Sequence, residues 1–115
     1  MNFTIILILF IYLPSSIIAD DGKFSITRLQ YRGGGDWYSD QSSIPNLLEF
    51  VNKNTGIPTN LIENKSRIGD DIFIGSDYLY LTGHGNIKFS DEEIINLRNH
   101  ILSGAFLHAD DNYGM

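Results

Sequence analysis

The chain has 115 residues, enough for one domain, and carries 14 Asp and Glu against 8 Lys and Arg, giving a formal net charge of −6. No basic cluster offsets this acidic balance, so the composition argues against a nucleic-acid-binding protein and against binding to an anionic membrane surface. Cysteine is absent, which excludes disulfides, thiolate metal ligands and a thiol nucleophile.

Residues 1–19 form an apolar leader without a charged side chain. The run 5–13 has the length of a signal-peptide core, and residues 17–19 (IIA) offer a cleavage site. We therefore predict a signal peptide over residues 1–19 and an exported chain, periplasmic or extracellular. The alternatives are an uncleaved membrane anchor, which would be the chain's only membrane contact, and a buried N-terminal element. A span needs about 20 apolar residues, and Pro14 interrupts this run.

The first elements expected after the leader are a strand and a helix. Residues 24–31 (FSITRLQY) are β-branched and aromatic, as is typical of a strand. Ser42 or Ser43 can cap the helix, Pro45 suits its first turn, and Gly56 can close it. Spacing of apolar residues predicts one buried stripe on this helix, formed by Ile44, Leu47, Leu48 and Val51.

The middle of the chain gives weaker signals. Residues 57–62 are a weak strand candidate in which Pro58 indicates an edge position. Residues 63–77 are polar and glycine-containing, and we interpret them as a connection that includes one helical turn. Residues 78–82 (YLYLT) form a nearly continuous apolar run, which is typical of a strand covered on both faces.

A second helix is marked at both ends. Residues 90–93 (SDEE) form a capping box, and Gly104 is a natural stop. Its expected apolar face is Ile94, Leu97 and Ile101, flanked by Ile95 and Leu102. Residues 105–109 predict another buried strand. The alternation of strands and helices therefore predicts an α/β fold, a parallel sheet with flanking helices.

Three unusual stretches follow predicted strands: residues 32–38 (RGGGDWY), 83–86 (GHGN) and 110–114 (DDNYG). Parallel α/β sheets bind ligands at the carboxyl ends of their strands, so these stretches predict one shared site. The candidate ligand-binding residues are Gly33, Gly34, Gly35, Asp36, Trp37, Tyr38, Gly83, His84, Gly85, Asn86, Asp110, Asp111, Asn112 and Tyr113.

Aromatic and histidine side chains can be divided by their context. His84 lies between two glycines, which leave room for a ligand, so we place it in the site. His100 is expected to be a solvated partner of its helix C-terminus, and His108 to be structural. Trp37 and Tyr38 can either pack over the sheet edge or stack on a sugar or another flat ligand.

Each remaining site feature has two readings. The triple glycine, residues 33–35, is either a turn that needs positive φ or a loop whose amides approach an anion. Asp110 and Asp111 are adjacent, so in an extended backbone they point to opposite sides. With His84 and Asp36 they could offer metal ligands, but no ligand spacing supports this, and we predict no metal and no cofactor. A GxSxG nucleophile elbow is absent.

The motifs GGGDWY, LTGHG and DDNYG occur in this order, together with SIPNLLEFVNKNTGI. In this combination the sequence resembles the amino-terminal part of the bacterial domain of unknown function 4159 (DUF4159). The resemblance covers residues 23–115 apart from the connection 63–77. It implies a class I glutamine amidotransferase-like, flavodoxin-like α/β fold, and members that often look exported. It also implies that the family domain continues further, so residues 23–115 are expected to be an incomplete, truncated domain.

The resemblance leaves the reaction open, because the family's function is not established. In glutamine amidotransferases a nucleophilic cysteine follows the strand that matches residues 105–109, whereas this chain has Asp110 and Asp111. Our first hypothesis is an exported domain that binds an unidentified small molecule or carbohydrate. The alternatives are a hydrolase-type enzyme, with Asp110 or Asp111 as base or nucleophile assisted by His84, and a structural or interaction module of an envelope-associated system.

Overall fold

The computed structural model describes residues 21–112, so the leader prediction and Tyr113 lie outside the described residues. Strands and helices alternate along this part of the chain. In order they are β1 (Thr27–Leu29), α1 (Ser43–Asn54), β2 (Asn64–Ser66), α2 (Asp71–Ile74), β3 (Tyr78–Gly83), α3 (Asp91–Leu102) and β4 (Phe106–Asp111). The two long helices, the short helical turn and the strand predicted over residues 78–82 are confirmed.

The strands form one parallel sheet in the order β2-β1-β3-β4. This confirms the predicted α/β class. The chain crosses from β1 to β2 on one side and then returns to the other side of β1 to form β3. The direction of winding therefore reverses between β1 and β3, and open α/β sheets commonly bind ligands outside the carboxyl ends of the strands at such a reversal.

Each face of the sheet carries its own apolar cluster. The cluster on the α1 face consists of Ile26, Ile44, Leu48 and Tyr80. The cluster on the opposite face consists of Leu29, Tyr31, Ile68, Phe73, Leu79 and Leu81. β3 supplies residues to both clusters, which confirms the prediction that this strand is covered on both faces.

Fewer residues of helix α1 are buried against the sheet than its sequence predicts. Ile44 and Leu48, one turn apart, are buried, and the Thr59 hydroxyl donates to the Leu48 carbonyl at 2.9 Å. Leu47 is exposed, so its placement in one buried stripe is wrong. The helix lies on the line from Ile44 to Leu48, and Leu47 projects from a different angle around the axis.

The second strand lies later in the chain than predicted. The proposed strand over residues 57–62 is wrong, because only Thr59 bridges to Phe24 there. β2 instead falls within the stretch predicted to be a connection, where Asn64 pairs with Thr27. Apolar composition favoured the earlier segment, but Pro58 lacks an amide for a ladder, and pairing with β1 selects the later one.

Helix α3 begins with the predicted capping box. The Ser90 amide donates to a Glu93 carboxylate oxygen at 2.7 Å, and the Glu93 amide donates to the Ser90 hydroxyl at 3.1 Å. The predicted apolar face, however, is not buried: no α3 residue is, although Leu97 packs partly against the core. Ile94, which belongs to this predicted face, is half exposed, because in residues 21–112 no further element covers this side of α3.

Strand β4 was predicted to be buried, and this is wrong. In residues 21–112 it pairs only with β3, and Phe106 is 56% exposed. His108 makes a structural contact, with Nδ1 lying 3.0 Å from the Tyr78 hydroxyl. The prediction of a solvated His100 is also wrong: its Nε2 donates to the Ser76 carbonyl at 2.6 Å, so the imidazole joins α3 to the turn before β3.

Candidate functional site

The loops after β1 and β3 meet at the point where the sheet reverses its winding direction. They pair backbone to backbone: the Gly35 amide donates to the Asn86 carbonyl at 3.0 Å, and the Asp36 amide to the His84 carbonyl at 3.1 Å. The Lys88 amide donates to the Arg32 carbonyl at 2.6 Å. The Gly35 and Asp36 amides are therefore used in joining the loops and do not point at an anion.

Two positions in this loop pair require glycine, because neighbouring atoms leave no room for a Cβ. A Cβ on Gly33 would lie 2.7 Å from the Lys88 amide nitrogen, and φ of Gly33 is +118°. A Cβ on Gly83, where φ is +149°, would overlap the Tyr31 hydroxyl and lie 3.1 Å from the Asp36 carbonyl oxygen. Both glycines thus allow the two loops to approach more closely than side chains would permit.

Asp36 and His84 form the central polar pair of the site. One Asp36 oxygen accepts the backbone N–H of His84, and the other lies 3.0 Å from Nδ1 of its ring. These hydrogen bonds, the backbone one first, lower the pKa of Asp36, so its carboxyl is ionised at neutral pH. A carboxylate only accepts, so Nδ1 carries the proton of this hydrogen bond, and in the neutral ring Nε2 keeps its lone pair. The His84 side chain is 58% exposed, against 31% for Asp36.

The buried Tyr31 side chain lies next to Gly83, close to the Asp36–His84 pair. Its hydroxyl donates to the Thr82 carbonyl at 3.0 Å. Burial, and secondly the negative charge of Asp36, raise the pKa of Tyr31, so its phenol stays protonated and serves as a fixed hydrogen-bond donor. The ring occupies the space that a side chain at Gly83 would fill.

The two terminal aspartates separate onto opposite faces of the sheet. Asp110 pairs with Thr82, and its Oδ2 accepts from the Tyr80 hydroxyl at 3.3 Å. Asp111 pairs with Gly83, and alternation along β4 turns its side chain to the face on which Asp36 approaches that glycine. Of the two acids, Asp111 is therefore the one on the side of the Asp36–His84 pair.

The last described residue ties the third loop to the first. The Asn112 amide group donates to an Asp40 carboxylate oxygen at 2.9 Å, and its backbone N–H donates to the Gly83 carbonyl at 3.3 Å. All three stretches singled out in the sequence are thus joined at one edge of the sheet. Trp37 packs partly against the core, whereas Tyr38 is exposed and meets Trp37 edge to face at 5.5 Å.

A protein-family model described as Domain of unknown function (DUF4159) matches residues 25–115. This range is most of the chain and contains all three loops. The chain belongs to the DUF4159 family. No curated protein matches the sequence.

Sequence reasoning missed one pair of residues in this DUF4159 chain, Arg28 and Glu63. Arg28 is buried in β1, and its Nε donates to Glu63 Oε2 at 2.8 Å. Its other nitrogens donate to the carbonyls of Ser39 at 2.7 Å, Trp37 at 3.2 Å and Asp40 at 3.3 Å. An arginine inside a strand-like apolar run was the available signal, because a buried charge requires a partner.

The Arg28 side chain therefore fixes the backbone of the first loop through hydrogen bonds to its carbonyls. Beyond the residues that pair with the loop after β3, the carbonyls of Trp37, Ser39 and Asp40 converge on this guanidinium. The guanidinium also lies 5.3 Å from the centre of the Tyr80 ring, which connects it to the strand beside Asp110. The Arg28 side chain thus contacts both the first loop and the core of the sheet.

Two further structural findings concern the described part of the DUF4159 chain. Within residues 21–112, no group of three or more His, Asp or Glu side chains is arranged to hold a metal ion. No helix in the same range is long and apolar enough to cross a membrane.

Proposed function

We propose that this DUF4159 chain is an exported domain that binds a small, neutral, hydroxyl-rich ligand of the carbohydrate class at the carboxyl edge of its sheet. The observation that carries the proposal is the exposed Asp36–His84 pair, fixed where the winding of the sheet reverses. Open α/β sheets commonly bind ligands at this position, outside the carboxyl ends of the strands.

The chemistry of the loops favours a neutral ligand over an anion. Asp36 is ionised, and Asp111 lies on the same side of the sheet. The Arg32 guanidinium lies 3.3 Å from a Glu93 carboxylate oxygen, so part of its charge is already compensated. A carboxylate and an imidazole nitrogen both hydrogen-bond sugar hydroxyls, and the exposed ring of Tyr38 offers a face on which a sugar can stack.

The binding proposal is tested by thermal stability in the presence of neutral sugars, with inorganic phosphate as the anionic comparison. A ligand present at about 100 times its dissociation constant should stabilise the fold by about 2.7 kcal/mol. Asp36→Asn and His84→Ala should remove the shift, whereas Asp77→Asn, an exposed acid at the opposite end of β3, should keep it. A phosphate shift without any sugar shift would contradict the proposal.

A hydrolase is the second candidate, and the Asp36–His84 hydrogen bond is the observation that favours it. A carboxylate that holds Nδ1–H leaves Nε2 as a base able to take a proton from water or from a hydroxyl. Asp111 would then face the same substrate, whereas Asp110 is held by Tyr80 on the other side. In that case His84→Ala should abolish ester or glycoside turnover while leaving substrate affinity within a few-fold.

Placement of DUF4159 among the amidotransferase-like folds would fit either candidate without a thiol, since the chain has no cysteine.

Export rests on the apolar residues 1–19 alone. Amino-terminal sequencing of the protein from its cells tests it. A mature chain that begins at Asp20 would support export by signal-peptide cleavage, and a retained Met1 would favour a membrane anchor.

A further inference from the structure

Asp36 begins a tight turn at the carboxyl edge of the sheet. The Ser39 amide donates to the Asp36 carbonyl at 2.9 Å, which closes a four-residue turn that we call the Asp36 turn, residues 36–39. The Asp36 amide in turn donates to the His84 carbonyl at 3.1 Å. The position of the Asp36 carboxylate therefore depends on how this turn is held against the sheet.

Carbonyls in the Asp36 turn and directly after it are bound by Arg28. Its Nη1 donates to the carbonyls of Trp37 at 3.2 Å and Ser39 at 2.7 Å, and its Nη2 donates to the carbonyl of Asp40 at 3.3 Å. A guanidinium is planar, so its donors keep a fixed geometry relative to one another. Hydrogen bonds to one rigid group thus define both the position and the tilt of the turn.

The guanidinium itself is held in place by the sheet. The Arg28 side chain is 1% exposed, and its Nε donates to Glu63 Oε2 at 2.8 Å. Its Cζ lies 5.3 Å from the centre of the Tyr80 ring on the neighbouring strand β3. Because a buried charge without its partners would be costly, the side chain has one strongly preferred position. The Asp36 turn is therefore attached to the interior of the sheet.

The Asp36 carboxylate decides which nitrogen of His84 carries the proton. The ring is exposed, and within residues 21–112 its only hydrogen bond joins Nδ1 to Asp36 Oδ2 at 3.0 Å. The tautomer of a neutral histidine is set by the hydrogen bond that one of its ring nitrogens makes. A neutral imidazole that is bonded only to water carries its proton mainly on Nε2. Loss of the Asp36 contact would thus change Nε2 from an acceptor into a donor.

We propose that Arg28 is a positioning residue for the Asp36–His84 pair. By holding the Asp36 turn, it keeps the carboxylate at Nδ1 of His84, so that Nε2 is offered to a ligand hydroxyl as a hydrogen-bond acceptor. In residues 21–112 the guanidinium donates to neither of these two side chains, so Arg28 acts only through the turn. Its effect on affinity rests on the proposed sugar site, whereas its effect on the His84 tautomer does not.

Nitrogen–proton NMR correlation of the imidazole rings tests the proposal at about pH 8.5, well above the pKa of an ordinary histidine. In the wild type, His84 should be mainly the Nδ1–H tautomer. Arg28→Lys keeps a positive charge beside Glu63 but lacks the planar fork, so His84 should change to mainly Nε2–H. His100 is an internal reference, because its Nε2 donates to the Ser76 carbonyl at 2.6 Å and its tautomer should stay the same.

Leu48→Ala is the matched control for lost stability. Leu48 is fully buried, and its carbonyl accepts from Thr59, which bridges to Phe24 before β1, at the opposite end of the strand from the Asp36 turn. The variant should lower stability by leaving a cavity, while His84 stays Nδ1–H.

The same three proteins report on the ligand site through the sugar-dependent thermal shift. Arg28→Lys should weaken sugar binding about 10-fold, and Leu48→Ala should leave it within about 2-fold. If the wild type binds no sugar, the proposed function fails, and the tautomer measurement still decides the role of Arg28.

A measurement on the wild type decides the case in which Arg28→Lys does not fold. A guanidinium bonded to a carboxylate and to three carbonyls cannot rotate freely, so Arg28 should give separate Nη1 and Nη2 proton signals. Arg32, which is 63% exposed, is the mobile reference. One averaged Nη signal for Arg28 would overturn the proposal. So would a folded Arg28→Lys variant that keeps the Nδ1–H tautomer of His84, or a Leu48→Ala variant that loses it.

Discussion

Changing Glu63 to Gln should weaken the whole domain, because it leaves the buried guanidinium of Arg28 without its counter-charge. The side chains are only 1% and 6% exposed, and Nε lies 2.8 Å from Oε2. Removing one partner of such a buried pair costs about 3–5 kcal/mol. A glutamine oxygen can still accept the hydrogen bond, so we expect the lower end of this range, a loss of about 3 kcal/mol in the free energy of unfolding.

Urea unfolding followed by tryptophan fluorescence measures this loss. Trp37 is the single tryptophan of the chain, and its carbonyl accepts from Arg28 at 3.2 Å, so its signal reports on the affected loop. With a slope of about 1.5 kcal/mol per M, the midpoint should fall by about 2 M. Glu49→Gln is the matched control: its ion pair with Lys53 is 2.7 Å long but exposed, and no resolved change is expected.

An unchanged midpoint for Glu63→Gln, or an equal shift in the control, would refute the reasoning that burial makes this pair important. The double variant Arg28→Met with Glu63→Leu provides a further check. Because it removes both charges, it should lose less stability than the two single variants added together. Full additivity would show that the cost arises from lost packing and not from an unpaired charge.

Three further changes have outcomes that follow from the structure. Gly83→Ala should cost roughly 2 kcal/mol or more in urea unfolding, because of its positive φ and the crowded space, whereas Gly104→Ala, with positive φ but open space, should cost less. Asp36 has a pKa below its ordinary value of 3.8, so the stability that it contributes is present above that pH and is lost as the pH falls through its folded pKa. Asp36→Asn should therefore flatten the acid limb of the stability–pH profile, and an unchanged limb would contradict the assigned hydrogen bonds. Ser90→Ala should cost about 1 kcal/mol and reduce the helical circular dichroism near the unfolding midpoint, because the Glu93 amide loses its acceptor.

Local signals were sufficient for the elements whose ends are marked in the chain. The capping box at Ser90 predicts the start of α3, and the serines before Pro45 predict the start of α1. Local signals were insufficient for β2. Its three residues, Asn64–Ser66, have no strand-like composition, and they form a strand because β1 lies beside them and Arg28 binds Glu63 just before them.

The burial of α3 and β4 illustrates a second limit. Both have the apolar content of interior elements, so the sequence predicts that both are covered. Whether an apolar side chain such as Phe106 is covered depends on which element lies next to it, and periodicity contains no information about neighbours.

The sequence by itself determined the α/β class and the three loops that contain the candidate site, because helix caps, apolar runs and glycine clusters act over a few residues. Only the tertiary structure decided that Asp36 binds His84, that Asp110 and Asp111 serve opposite faces, and that Arg28 holds the first loop. These contacts join residues far apart in the chain, with 48 positions separating Asp36 from His84. Strand order and register bring them together, and no local pattern encodes either of these.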